Sequence, residues 1–424
     1  MPRLIYSLIF YLVQPLLWLR LLWRSRKQPE YLHHVGERYG FYANTVHAPL
    51  IWLHAVSVGE TRAAEPLIKA LLETYPDHAL LLTHMTPTGR VAGAELIAKY
   101  GPRLTQVYLP YDLPDACARF LDHFRPRLGL LMETELWPNL IAASRLHRMP
   151  LLLINARLSV YSQRGYQRLS PLIRPAFNAL YAVAAQTPSD AERLTAVGAQ
   201  RVHVFGNLKF DVHPSPLKIE LGAQWRQALG SRPVWLAAST REGEETLILD
   251  AFASLDIPEL LLLLVPRHPQ RFDEVADLIE QHNLCACRRS DGSLPLPQTR
   301  VWLGDSMGEM PAYFTVADLA LIGGTLLPLG GQNLIEAASC GCPILVGPHT
   351  FNFAQATDDA IESGAALRIH DARHAAITAE QLLSNGKALS SMREAASAFS
   401  QTHRGATDRT IALIGEITAL RTTG

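Results

Sequence analysis

The chain has 424 residues, 48% hydrophobic and 18% charged, with 39 Lys and Arg against 39 Asp and Glu. That length exceeds one ordinary core and predicts two domains of about 200 residues each. The composition excludes a disordered chain, and the neutral balance gives no reason to expect nucleic-acid binding, so a polyanionic partner must be recognised locally.

The N-terminus differs in kind from the rest. Leu4 to Leu19 carries no charge and is rich in Leu, Ile and aromatics, and Arg20, Arg24, Arg26 and Lys27 follow it. The run falls short of the roughly 20 residues a straight span needs, and Gln14-Pro15 interrupts it. Residues 1–27 therefore read as a membrane anchor helix with a basic flank, either spanning or lying in the interface with Trp18 and Trp23 at headgroup level. The positive flank places the remainder in the cytoplasm, and no cleavage site for a signal peptide follows. Five cysteines, Cys117, Cys285, Cys287, Cys340 and Cys342, make an odd count without C-x-x-C spacing, so reduced thiols and no structural zinc are expected.

Apolar runs of strand length then alternate with amphipathic helical segments, the pattern of a doubly wound parallel sheet. Strands are predicted at Leu50 to Val56, Ala79 to Thr83, Gln106 to Leu109, Leu128 to Met132, Leu151 to Asn155, Ala182 to Ala185 and Val202 to Phe205. Helices Ala63 to Glu73, Ala116 to His123 and Pro188 to Val197 lie between them. These fill a first α/β domain over residues 28–212. Residues 213–232, with Pro214 and Pro216 before a helix, read as an interdomain linker. A second α/β domain, 233–424, has strands at Val234 to Ala238, Leu260 to Val265, Arg300 to Leu303, Leu319 to Ile322 and Ile344 to Val346. Its helices include Glu244 to Ser254 and Arg271 to Gln281, and helical segments from Lys387 to Leu420 close it.

Parallel sheets bind ligands at the carboxyl ends of their strands, so the residues after each strand decide the chemistry. In the second domain the most informative stretch is GGTLLPLGGQNLIE, Gly323 to Glu336. Two Gly-Gly pairs let the backbone approach a ligand, and the helix they open presents free N–H groups and the positive end of its dipole. Asn333 suits the helix start, and Glu336, one turn in, suits a ribose diol. Without a Lys after the glycines the Walker loop is excluded, and the spacing misses the dinucleotide fingerprint. Ser239, Thr240 and the Gly243-Glu244 helix start offer hydroxyl and backbone donors to a phosphate, and Arg267 with His268 offers ion pairing. In the first domain Glu60 follows a glycine turn, Glu133 and Glu135 follow the fourth strand, and Lys209 follows the last. Acids and a lysine on one sheet edge suit a general base with stabilisers of developing charge, although a Glu in a first helical turn is also a plain dipole partner. No G-x-S-x-G or H-E-x-x-H is present, which argues against serine-hydrolase and zinc-protease chemistry. Two such halves fit group transfer across a cleft, the GT-B arrangement of glycosyltransferases with two Rossmann-like domains.

On HAVSVGE at Glu60, METELWPN from Met132, NARLS at Asn155, GNLKFD at Lys209, RHPQRF at Arg267, GDSMGEM from Gly304 and the stretch from Gly323 to Phe353, nearly the whole chain resembles the 3-deoxy-D-manno-octulosonic acid (Kdo) transferases that act on the lipid A precursor. The resemblance implies an inverting GT-B enzyme, free of metal and other cofactors. It would transfer Kdo from CMP-Kdo to lipid IVA in lipopolysaccharide biosynthesis, at the cytoplasmic face of the cell inner membrane. It implies that Glu60 is the general base, that Glu133 and Lys209 stabilise the transition state, and that Arg267 and His268, Met307, Gly308 and Glu309, and Asn333, Leu334, Ile335 and Glu336 contact CMP. Two departures stand out: the family often has His at Gln332 and near Arg241, which puts a proton role at Gln332 in doubt rather than nucleotide binding. A UDP-sugar transferase or epimerase on the same fold shares the glycine stretch and Glu336. A membrane-bound nucleotide sensor would leave Glu60 and Glu133 idle.

Overall fold

The computed structural model describes residues 1–211, 214–257 and 259–422, and the chain divides into two compact units, Met1–Val212 with Arg404–Gly424, and His213–His403. The domain boundary predicted at 212/213 falls outside the described residues.

The first unit holds seven parallel strands, β1 (Leu50–His54), β2 (Ala79–His84), β3 (Leu104–Tyr108), β4 (Leu128–Met132), β5 (Leu151–Ala156), β6 (Ala182–Ala185) and β7 (Val202–Val204), in the order β3-β2-β1-β4-β5-β6-β7. Both faces are covered, so β1, β2 and β4 are buried along their whole length and read as continuous apolar runs. Leu50 and Trp52 enter the core on one face with Phe120, Leu151 and Phe177, while Ile51 and Leu53 enter the other with Leu67, Leu80 and Leu82.

The second unit repeats the plan with β8 (Val234–Thr240), β9 (Leu261–Pro266), β10 (Ala286–Arg288), β11 (Val301–Leu303), β12 (Leu319–Ile322), β13 (Ile344–Val346) and β14 (Ala366–Arg368), ordered β10-β11-β9-β8-β12-β13-β14 and parallel throughout. Strand β14, exposed at two of its three residues, has no counterpart among the predicted strands.

Three predicted boundaries change. The 213–232 linker belongs to the second unit: its helix Pro216–Leu229 packs on helix Met310–Val316, and Trp225 meets Trp302 and Tyr313 at ring distances of 5.1 and 5.5 Å. The last helix, Ala406–Thr422, belongs to the first unit rather than the second. Leu413, Ile414 and Ile417 join the core under helix Glu65–Thr74, and the buried Asp211 carboxylate accepts from the Gly405 and Thr407 N–H groups at 2.6 and 2.5 Å. An acid at a helix start satisfies orphan donors and the dipole together, which fixes where this helix begins.

The single anchor helix is also revised, because residues 2–25 form two helices, Pro2–Leu12 and Gln14–Ser25, bent by 48°. Neither is long and apolar enough to cross a membrane; the bent pair passes that test only together. The pair is docked on the first unit through polar contacts: the buried Ser7 hydroxyl donates to Asn139 at 3.0 Å, Tyr39 donates to Gln14 at 3.0 Å, and Tyr11 bonds Asp115. Its outer face stays apolar, with Leu4, Leu12, Leu16 and Trp23 each more than 60% exposed.

Candidate functional site

In both sheets the strand order reverses beside the first strand, β1 in one and β8 in the other, the point where a parallel sheet opens a crevice at its carboxyl edge. In the first unit that point lies between β1 and β4. Ser57 caps helix Val58–Ala63 by accepting from the Glu60 N–H, and Glu60 answers with its carboxylate, which accepts from the Val56 N–H at 2.9 Å and from the Ser57 hydroxyl at 3.1 Å. This reciprocal box fixes the carboxylate in place. Burial, helped by the charge of Glu133 and opposed by those hydrogen bonds and by Arg157, pushes the Glu60 pKa up to about 7. A carboxylate that titrates near neutrality is suited to take a proton.

Strand β4 runs into Glu133 at φ +57°, in the left-handed region that side chains avoid. Its N–H donates to the Ile154 carbonyl at 3.0 Å, so the neighbouring strand helps hold the turn. The Glu133 carboxylate receives both Nε and Nη2 of Arg157 on Oε2 at 3.1 Å, and Lys209 Nζ lies 3.9 Å from Oε1. Lys209 is seated by Asn155, a second left-handed residue at φ +50°, whose side-chain oxygen accepts from the Leu208 N–H at 3.0 Å. Glu60, Glu133 and Lys209 are thus gathered at one place.

Three further groups there, Glu135 among the acids already noted, had no individual role assigned from the sequence. Burial, then the charge of Glu60, pushes Glu135 up to about 7; the Trp137 indole opposes this, yet its N–H is outside hydrogen-bond geometry and buried without a partner. His54 Nε2 is 3.9 Å from the Glu135 carboxylate, but complete burial and nearby His84 push the imidazole down to about 3, so the pair is neutral histidine beside carboxyl rather than an ion pair. Arg157 supplies the charge that balances Glu133. The available signal was two acids at alternate positions after a buried strand, with an Arg two residues beyond the next strand's asparagine.

In the second unit the reversal lies between β8 and β12. Ser239 is left-handed at φ +58°, and the register with β9 shifts between Ala238 and Thr240. Thr240 is buried and donates to Glu245 at 2.8 Å, so its hydroxyl supports the loop instead of being offered to a phosphate as expected. Glu245 also receives Arg271 Nη1 at 2.6 Å, and Arg271 reaches Glu274 at 2.8 Å; these two carboxylates, Glu274 first, hold the guanidinium pKa above its ordinary value against partial burial. His268 is exposed, and burial followed by the charges of Arg241, Arg267 and Arg271 pushes its pKa down. Arg241 and Arg267 beside this imidazole form a cationic edge suited to an anion, while the Arg271 charge is met by Glu245 and Glu274. Arg267 is tied to β8 by its N–H, which donates to the Thr240 carbonyl at 2.9 Å.

The third loop exposes Met307 and Gly308, but the Glu309 carboxylate is engaged by Ser306 at 2.6 Å, Arg289 at 3.1 Å and Lys218 at 3.4 Å. These partners outweigh burial and hold its pKa low. Asn333 caps helix Leu334–Ser339 as expected, accepting from the Ile335 N–H at 3.1 Å. Leu334 and Ile335 are buried, so a ligand reaches them only through the main chain, and Glu336 is half-buried one turn in.

The glycine stretch itself departs from the open cradle expected of it. The N–H groups of Gly323, Gly331 and Gln332 bond to the carbonyls of Ala238, Gly324 and Gly323 at 2.8, 2.7 and 3.0 Å, and those of Gly324 and Leu326 bond to Glu244 at 2.6 and 3.0 Å. The glycines serve loop packing: a Cβ on Gly323 would land on the Ser239 carbonyl, and one on Gly330 on the Asn352 amide. Among the described residues no group of His, Cys, Asp and Glu is arranged to hold a metal ion.

Residues 33–212 match the family model described as 3-deoxy-D-manno-octulosonic-acid transferase (kdotransferase). A 3-deoxy-D-manno-octulosonic acid transferase of Bordetella pertussis is 46% identical over 97% of this chain and 98% of that protein. One of Haemophilus influenzae is 37% identical over 91% of this chain and 92% of that protein. Among solved structures, a glycosyltransferase of Rickettsia africae superposes with a TM-score of 0.59 over 88% of this chain and 99% of that one, at 13% identity, a likeness of fold alone.

Proposed function

The chain belongs to the 3-deoxy-D-manno-octulosonic acid transferase family of glycosyltransferases, and from that premise we propose that it transfers Kdo from CMP-Kdo to a sugar hydroxyl of the lipid A precursor, lipid IVA, with inversion and without a metal. The observation that carries the mechanism is Glu60: a carboxylate fixed by its own helix cap and lifted to about 7 beside a Glu133, Arg157 and Lys209 charge cluster. Glu60 takes the proton of the attacking hydroxyl. Glu133 and Lys209 stabilise the charge that develops on the sugar as its bond to the cytidylate breaks.

The departing CMP carries the negative charge, and the Arg241 and Arg267 edge takes the place of a divalent cation in neutralising it. His268, the main chain of Met307 and Gly308, and the Asn333 to Glu336 turn complete the donor site, with Glu336 accepting from the ribose diol. Glu309 acts through Arg289 and Lys218.

The acceptor is a lipid, so the protein works at the cytoplasmic face of the inner membrane. The two N-terminal helices lie in the interface with their exposed leucines and Trp23 among the acyl chains. Interfacial placement keeps the Ser7 and Gln14 contacts, which a straight span would break. Deleting residues 1–27 is expected to move the protein from floated vesicles to the soluble fraction; a truncated form that still floats contradicts this placement.

Mass analysis of products from CMP-Kdo and the tetraacylated precursor tests the reaction itself. A mass gain of one or more Kdo units on the lipid supports it, and transfer from a UDP-sugar with none from CMP-Kdo overturns it.

A further inference from the structure

We propose that Glu244 is a positioning residue for the donor site, a buried carboxylate that ties the loop after β8 to the glycine stretch after β12. The proposal rests on the donor assignment above. A Glu in the first turn of helix Glu244–Ala253 would ordinarily be a solvated partner of the helix dipole, but Glu244 is 0% exposed. Its Oε2 accepts from the Arg241 N–H at 2.9 Å and the Gly324 N–H at 2.6 Å, and its Oε1 accepts from the Leu326 N–H at 3.0 Å. Both oxygens accept from main-chain amides, which holds the side chain in one orientation. Burying a polar group is costly unless it is hydrogen-bonded, and here three amides from two distant loops serve the carboxyl.

The arrangement has a functional consequence. One loop carries Arg241 into the cationic edge, and the other leads through the second glycine pair to the Asn333 cap. Glu244 fixes the spacing between them. It also occupies the Gly324 and Leu326 amides, so the phosphate is recognised by guanidinium groups and the helix start, not by those glycine-loop amides.

Glu244→Gln keeps the size of the side chain but sets an NH2 donor against main-chain N–H groups. The expected result is a rise of about tenfold or more in the CMP dissociation constant and the donor KM, with kcat at saturating donor and the acceptor KM little changed. A merely structural role would lower activity without that split. If the parent protein fails to bind CMP, the donor assignment itself fails; if the parent binds CMP and the variant binds it equally well, the brace fails. Amide hydrogen exchange on the parent protein tests the same point without a variant. Gly324 and Leu326 are expected to be protected before CMP is added and unchanged after it, and protection that appears only with CMP overturns the proposal.

Discussion

The carboxyl edges of the two sheets share a strand-order reversal and carry different chemistry. Both reverse strand order beside their first strand, and both place a left-handed, non-glycine residue at the carboxyl end of a central strand, Glu133 just past β4 and Ser239 in β8. Such residues cost of order 1–3 kcal/mol and persist where the surroundings over-determine them. Yet the first edge collects Glu60, Glu133 and Glu135 around Arg157 and Lys209, and the second sets Arg241 and Arg267 beside His268. The fold therefore supplies the position, and the loop residues supply the sign of charge: proton removal at one edge, anion binding at the other.

Substitutions that respect this division should have separable effects. Glu60→Gln, at the acidic edge, is expected to lower kcat by about 10²- to 10⁴-fold, as read by initial rates at saturating substrates, and a variant near the parent rate breaks the comparison. Arg267→Ala, at the basic edge, is expected to raise the donor KM by about 10- to 100-fold with a smaller effect on kcat; a kcat loss at constant KM would contradict its assignment. Glu135→Gln sharpens the contrast through pH. The catalytic base works ionised, so activity should rise with pH through about 7, and because the charge of Glu60 raises Glu135 and such coupling is reciprocal, removing the Glu135 charge should move that limb to lower pH. A limb that stays in place shows the two carboxyls to be uncoupled.

The same raised pKa values predict a stability trend. Between the ordinary carboxylate range and about pH 7, Glu60 and Glu135 bind protons in the folded unit that they have lost in the unfolded chain, so their contribution to stability falls as pH rises, while buried His54 and His84, pushed down to about 3 and 4, contribute with the opposite sign. Glu135→Gln removes part of that fall. Its Tm is therefore expected to decline less than that of the parent between about pH 5 and pH 8.

The central strands were legible because burial on both faces writes them as unbroken apolar runs, and the residues after them followed from the parallel arrangement. Short edge strands were harder: β14 has only one buried residue to announce it. Helix Ala406–Thr422 could be read as a helix, but nothing in its periodicity says which unit it covers; that depends on Asp211, nearly two hundred positions earlier. Glu244 shows the same limit, since its partners Gly324 and Leu326 lie far along the chain and a Glu at that position is usually solvated. The left-handed turns at Glu133, Asn155 and Ser239 were invisible for another reason. Positive φ is signalled by glycine, and here tertiary hydrogen bonds impose it on other residues.

The division of labour is tested most directly by calorimetric titration of CMP into Glu60→Gln. The expected result is a dissociation constant equal to that of the parent in a protein that no longer transfers Kdo; loss of CMP binding in that variant would contradict it.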